Sequence, residues 1–311
     1  MPTTLQVKVF PGAQNLPLYA GLDRGLFAGR GLKVNLQFTS NSAELREGLA
    51  AGAFDIAHGA VDNAVAMAEM AGQDVVIVMG GDSSMNEFFV QPEIKAIADL
   101  KGRTLLVDAP NTAYALQAKK ILLNYGLKAD EDYTVKPVGA TPLRAKAMLE
   151  NKVNAATILN PPFSIQAAAQ GLKSLGRVVD LIGPYQATGA FVMRAWAKSN
   201  AEALERYLAA YLEALQWALT PANREAAAAL LVKWLKLPEK VAETTYALLA
   251  DPRFGLVPDA QFDLAGFNNI LALRAEIEGQ WGGKAPSPER YIDLSYYERA
   301  LSLIQSQSLG L

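Results

Sequence analysis

The residues with chemistry to offer lie in seven short loops, each following a stretch that reads as a β-strand. In the first part of the chain these are residues 11–19, 39–42, 58–63 and 80–82; further on they are 108–114, 139–141 and 160–163. They are rich in Ser, Thr, Asn and Gly and poor in charge. Such loops bind through hydroxyls and backbone N–H groups, and where they open a helix its free N–H groups favour an anion. The turn at Asn111, Thr112 and Ala113 is the expected seat of an acidic group, with Tyr114 and Phe163 walling an apolar part. Asp62 is a candidate partner for an amine or ring N–H. His58, protonated, could read a carboxylate. Each also has a plainer role: Ser42, Asp62 and Thr112 as helix caps, His58 as a hydrogen-bonded core residue, Asn160 as a turn residue, and Tyr114 and Phe163 as packing aromatics.

Composition removes most alternatives. The 311 residues include one His and no Cys, so disulfides, thiolate metal sites, multi-histidine sites and Cys nucleophiles are all excluded. Lys plus Arg number 29 against 31 Asp plus Glu, a net charge of −2, which leaves no basic excess for a phosphate backbone. Nucleic acid is therefore not an expected partner. The longest unbroken apolar run, Ala226 to Val232, is far short of the ~20 residues a membrane span requires. Gly80-Gly81 and Gly282-Gly283 fit neither a P-loop nor a dinucleotide fingerprint, and no Gly-x-Ser-x-Gly elbow is present. Arg144, Lys146 and Lys233 read as members of solvated helix faces.

The elements that must position these loops follow an α/β alternation. Strands are expected over 5–10, 33–38, 55–58, 75–79, 87–91, 104–108, 134–138, 154–159 and 190–194. Helices start at Ser42, Asp62, Asn111 or Thr112, Thr141-Pro142 and Pro161-Pro162, and Gly52, Gly72, Gly126 and Gly171 stop them. After Arg194 the chain is almost wholly helical. Ser199 and Glu202 fit a capping box, and Leu204, Leu208, Leu212, Leu215 and Leu219 form one stripe. A further helix is expected over 259–279. Two α/β blocks, 5–86 and 101–183, joined by extended chain at 88–91 and 189–193, describe two lobes with a hinge of two crossing strands.

With that order in place, the sequence resembles the solute-binding proteins of ABC importers for nitrate, sulfonates, taurine and related acids. The same superfamily holds relatives of the yeast thiamin-pyrimidine synthase. The resemblance is carried by Leu18-Tyr19-Ala20-Gly21-Leu22-Asp23-Arg24-Gly25-Leu26-Phe27, Gly31-Leu32-Lys33-Val34 and Leu49-Ala50-Ala51-Gly52-Ala53-Phe54-Asp55-Ile56-Ala57. Asp99-Leu100-Lys101-Gly102-Arg103-Thr104 and Asn160-Pro161-Pro162-Phe163 continue it, over about residues 5–250.

It implies a two-lobe type II periplasmic-binding fold, with lobe one made of residues 1–88 and 190–311 and lobe two of 89–189. The helical C-terminal part would pack on lobe one. Ligand contacts would fall on Asn15, Leu16 and Tyr19, on Asn41 and Ser42, and on the Ala60–Asp62 turn beside His58. From the other lobe they would come from Asn111, Thr112 and Tyr114, and from Asn160 and Phe163. The implied protein is a non-catalytic monomer that captures a small organic anion, a sulfonate or a carboxylate, and hands it to an ABC permease without a cofactor. Its place would be periplasmic or otherwise extracytoplasmic, although Met-Pro-Thr-Thr opens no signal-like segment. The alternative is an enzyme of pyrimidine-precursor biosynthesis on the same fold. Synthase relatives imply pyridoxal phosphate, a consumed histidine and a Cys-rich motif, and this chain has His58 but no Cys. A related desulfinase activity needs a Cys nucleophile and is excluded.

Overall fold

The computed structural model describes residues 1–308 of the chain. Ten strands divide between two five-stranded sheets. The first contains β1 (Thr3–Val9), β2 (Leu32–Phe38), β3 (Ile56–Ala60), β4 (Val75–Met79) and β10 (Thr188–Met193), in the order β2-β1-β3-β10-β4. The second contains β5 (Glu87–Val90), β6 (Thr104–Val107), β7 (Thr134–Pro137), β8 (Asn154–Leu159) and β9 (Lys173–Arg177), in the order β7-β6-β8-β5-β9. In each sheet the first three strands of that order are parallel and the fourth runs antiparallel to both of its neighbours. The fourth strand is β10 in one sheet and β5 in the other, the strands nearest the two chain crossings.

Helices cover both faces of each sheet. In chain order they are α1 (Leu16–Asp23), α2 (Leu26–Gly29), α3 (Ser42–Ala50), α4 (Asp62–Ala71), α5 (Ala113–Asn124), α6 (Thr141–Glu150) and α7 (Phe163–Ala169). They continue with α8 (Val178–Ile182), α9 (Arg194–Ser199), α10 (Ala201–Leu219), α11 (Arg224–Leu235), α12 (Glu239–Leu249), α13 (Leu264–Ile277) and α14 (Ser295–Ser308). One core joins the first sheet to α1, α10, α11, α12 and α14; a second lies on its other face, under α3, α4 and α13. The second sheet has its own two cores. The C-terminal helices thus dock on the first sheet. The leucine stripe of α10 is buried from Leu204 to Leu215, but Tyr207, Tyr211 and several alanines are buried with it. The covered arc is wide because α1 and α14 pack against α10 as well as the sheet.

Local differences from the sequence reading have plain causes. Asn41, rather than Ser42, caps α3, its side chain accepting from Glu44 N at 2.8 Å. Asp62 stands inside α4, after Val61. The Ser199–Glu202 capping box does not form, because α9 runs through Ser199 and Asn200 takes the N-cap of α10. The helix expected over 259–279 begins at Leu264, with Asp263 accepting from Gly266 N. Strand β9 was not legible: Lys173 and Ser174 are exposed on a sheet edge, so no apolar alternation marks it.

Gly80 and Gly81, which match no phosphate motif, have packing reasons: a Cβ on Gly80 would stand 2.5 Å from Gln261 O, and Gly81 lies at the crossing between the sheets. A Cβ on Gly81 would stand 2.8 Å from both the carbonyl oxygen and the hydroxyl of Thr188. One on Gly189 would stand 2.5 Å from Met79 O. The two crossing segments approach each other too closely for side chains. Gly81→Ala should therefore destabilise the protein by about 1–3 kcal/mol through overpacking. Gly29→Ala, in α2 with no atom within 4 Å of the added methyl, should be neutral or stabilising, as denaturant melts of both variants will show.

Candidate ligand-binding site

The carboxyl ends of the parallel strands of the two sheets face each other, and the loops that follow them enclose a cleft. One wall is formed by Phe10, Pro11 and Gln14 after β1, Ser42 at the start of α3, and Gly59, Ala60 and Asn63 around the end of β3. The other is formed by Asp108 after β6, Thr112, Ala113 and Tyr114 at the start of α5, Ala140, Thr141 and Arg144 at the start of α6, and Asn160 after β8. Thr188 closes the floor. The cleft encloses about 520 Å³ of empty space, its open mouth included.

Hydrogen bonds join the walls directly. Ser42 donates to Asp108 Oδ2 through its backbone N at 3.1 Å and through its hydroxyl. Ala140 N donates to Ser40 O at 3.1 Å, Asn160 Nδ2 to Gln14 Oε1 at 3.2 Å, and Ala13 N to Pro161 O at 3.3 Å. The sheets therefore stand in a closed arrangement.

Arg144 is the main correction to the sequence reading. It is 1% exposed rather than on a solvated face, while Lys146 and Lys233 are exposed as expected. One helical turn after Thr141, it points into the cleft beneath the α6 N-terminus. Its guanidinium donates to Thr157 Oγ1, Gly139 O, Thr141 Oγ1 and Ile158 O, and lies 5.4 Å from the centre of the Tyr114 ring. No carboxylate of the described residues is in ion-pair contact with it. Burial pulls its pKa below the usual arginine value, opposed by the nearby Asp108 and Tyr114. It stays a cation, since an arginine begins so far above neutral pH. Beside it, the first-turn N–H groups of Ala113 and Tyr114 lack helical acceptors, as those of any helix start do. A buried cation and a helix N-terminus together make an anion seat.

Of the residues expected to touch ligand, Ser42, Thr112, Tyr114 and Asn160 line the cleft. The others stand elsewhere. Asn15 donates to Phe10 O at 2.7 Å and so shapes the loop after β1 from behind. Leu16 is core, and Tyr19 stacks on Trp234 with ring centres 4.9 Å apart. Asn41 is occupied as the α3 cap. Asn111 accepts from Arg274 through its backbone carbonyl, and its side-chain amide donates to Met70 S. Phe163 faces a separate surface groove between α6 and α7.

His58 and Asp62, the two with the sharpest proposed roles, are both enclosed. His58 Nε2 is 2.7 Å from Tyr207 OH and its ring stacks on Tyr211 at 5.0 Å. Burial pushes its pKa down to about 3, so it is neutral and reads no carboxylate. Asp62 receives both Nε and Nη2 of Arg274 at 2.6 Å, a fork-to-fork pair buried on both sides. Arg274 lies more than 200 residues away in sequence, which is why Asp62 looked free.

The sequence matches the family described as NMT1/THI5 like over residues 13–224. This chain belongs to the NMT1/THI5-like family. No curated protein matches it by sequence. Among solved structures, one from Bordetella bronchiseptica RB50 superposes with a TM-score of 0.81 at 19% identity, covering 97% of this chain and 98% of that one. The periplasmic nitrate-binding protein NrtA of Synechocystis PCC 6803 gives 0.80 at 15% identity, covering 98% and 90%. The periplasmic aliphatic sulphonate binding protein SsuA of Escherichia coli gives 0.73 at 21%, covering 96% and 100%. The NMT1/THI5-like chain thus has the periplasmic-binding-protein fold, with ABC-importer binding proteins among its structural neighbours.

Two outcomes follow from the enclosed residues. Asp62→Ala strands the buried Arg274 charge, so it should lower stability by roughly 3–5 kcal/mol in denaturant melts, rather than act on ligand affinity alone. His58 makes stability fall with acid. Between its unfolded pKa near 6.5 and its folded value of about 3, only the unfolded chain takes up the proton. Stability should drop by about 1.4 kcal/mol per pH unit below pH ~6, and His58→Gln should flatten that slope.

Proposed function

We propose that this protein is the solute-binding component of an ABC importer. It captures a small organic acid, a sulfonate or carboxylate, in the cleft between its sheets and presents it to a transmembrane permease. The observation that supports this most is Arg144, a buried guanidinium with no carboxylate partner, set among helix N-termini at the meeting point of two sheets. In this reading the protein acts outside the cytoplasm as a monomer. No helix of the described residues is long and apolar enough to cross a membrane, so delivery would depend on docking to the permease.

The two sheets become two lobes that open and close about the crossings near Asp82 and Thr188. Lobe two begins at Glu87, since Glu87 and Phe88 already pair with β8, and lobe one resumes at Thr188, which pairs with Ala60. A ligand bridging the walls shifts the lobes toward the closed form. A synthase reading is less well supported, because the cleft lining contains neither Lys nor His.

The test is a thermal-shift screen with sulfonates, aromatic mono- and dicarboxylates, aminopyrimidines, nitrate and pyridoxal phosphate. A ligand at 100 times its dissociation constant adds about 2.7 kcal/mol of stability. Recovery of the bound compound unaltered supports capture; its conversion, or a shift with pyridoxal phosphate, overturns it. Arg144→Gln, checked for folding by circular dichroism, should weaken acid binding roughly 10- to 100-fold by loss of a charged hydrogen bond.

A further inference from the structure

We propose that the ligand is dipolar, a small acid that also carries an ammonium or other N–H donor; this rests on the capture reading above. The charged residues lining the cleft are one cation, Arg144, and one anion, Asp108. A plain oxyanion matches the first and is repelled by the second. A zwitterion matches both.

The hydrogen-bond count points the same way. A guanidinium has five N–H groups. Arg144 uses Nε once, Nη2 twice and Nη1 once, which leaves one N–H on Nη1 for an incoming acceptor. The same wall also holds acceptors that no donor reaches. Asp108 Oδ2 accepts both bonds from Ser42, while Asp108 Oδ1 is buried with no hydrogen-bond partner. Asn160, 6% exposed, directs its amide nitrogen to Gln14 Oε1 and Pro161 O, and its Oδ1 is likewise buried without a donor. Asp108 and Asn160 follow the adjacent strands β6 and β8, so the two acceptors sit at one end of the cleft wall.

Buried acceptors call for donors, and a carboxylate calls for them most strongly. In the open form water supplies them. Closure round a nitrate or an unsubstituted sulfonate would set bare oxygens against Asp108 and Asn160. Closure round an amino acid or amino-sulfonic acid places its acid group on Arg144 and the helix starts, and its N–H groups on Asp108 Oδ1 and Asn160 Oδ1. This moves onto Asp108 the donor-reading role that the sequence suggested for Asp62.

Three matched pairs test the idea by calorimetry on the intact chain: taurine with ethanesulfonate, β-alanine with propionate, and 4-aminobutyrate with butyrate. The amino member should bind at least tenfold tighter in one pair or more. Asp108→Asn should erase most of that ratio while Arg144→Gln weakens both members. The wild-type ratio decides the matter even if a variant fails to fold. Equal affinities, or tighter binding of the plain acid, overturn the dipolar ligand and leave acid capture standing. Binding by none of the six overturns it as well, and capture is then decided by the aromatic and pyrimidine arms of the screen above.

Discussion

The structure depends on how two sheets can face each other while joined by only two stretches of chain. Asp82 makes the join. It lies on the first crossing, accepts from Ser84 N on its own segment, and receives the Thr188 hydroxyl from the second crossing, whose Ala187 N bonds to Asp82 O at 3.0 Å. Burial pushes this carboxyl's pKa up, and the donors around it oppose that shift. Gly81 and Gly189 are required by the same contact, since a Cβ on either would meet backbone of the other crossing, while one on Gly80 would meet the carbonyls of Ala260 and Gln261. With the crossings bound side by side, the carboxyl ends of β1 to β3 point at those of β6 to β8. The cleft is a consequence of that tie.

The electrostatics of the cleft follow from it in turn. Three helices, α3, α5 and α6, begin at these strand ends, so their unbonded N–H groups converge on one space. Asp108 answers the first of them, sitting across the cleft at the start of α3 with Ser42 N bonded to it. Among the described residues none plays that part for α5 and α6, where Arg144 adds a further positive charge. A buried guanidinium without a carboxylate is costly unless its N–H groups are used. Four of them reach carbonyls or hydroxyls of the α6 and β8 region, which holds the side chain rigid.

Strands and cleft loops were legible because they are local. Strands buried on both faces read as short β-branched runs, as in β4 with Val75 to Met79, all buried. The switch from such runs to the stripe of α10 marked where the helical part begins. What the sequence hid is pairing at a distance. Asp62 and Arg274, or His58 and Tyr207, are single residues whose partners lie 212 and 149 positions away. Without them, a buried carboxylate and a walled histidine look like available chemistry. Arg144 misled in the opposite direction. A cation one turn into a helix is usually solvated, and only the crossing of the sheets turns that face inward. Loops were therefore predicted better than the residues in them, because a strand end fixes the place of a loop and not the direction of its side chains.

The direct bonds between the walls constrain how a ligand can act. Ser42 with Asp108, Ala140 N with Ser40 O, and Asn160 with Gln14 are made by protein alone, so they stabilise the closed form whatever is bound. A ligand shifts the lobes only by the interactions it makes in the closed form and lacks in the open one. Those must involve groups from both sides that the protein leaves unmatched at closure. On the second-sheet wall these are one N–H of Arg144, the first-turn N–H groups of α5, and the Oδ1 atoms of Asp108 and Asn160. Phe10 and Pro11 on the first-sheet wall offer apolar surface instead. The unmatched polar groups are thus concentrated on the side of the second sheet, facing the apolar surface of Phe10 and Pro11.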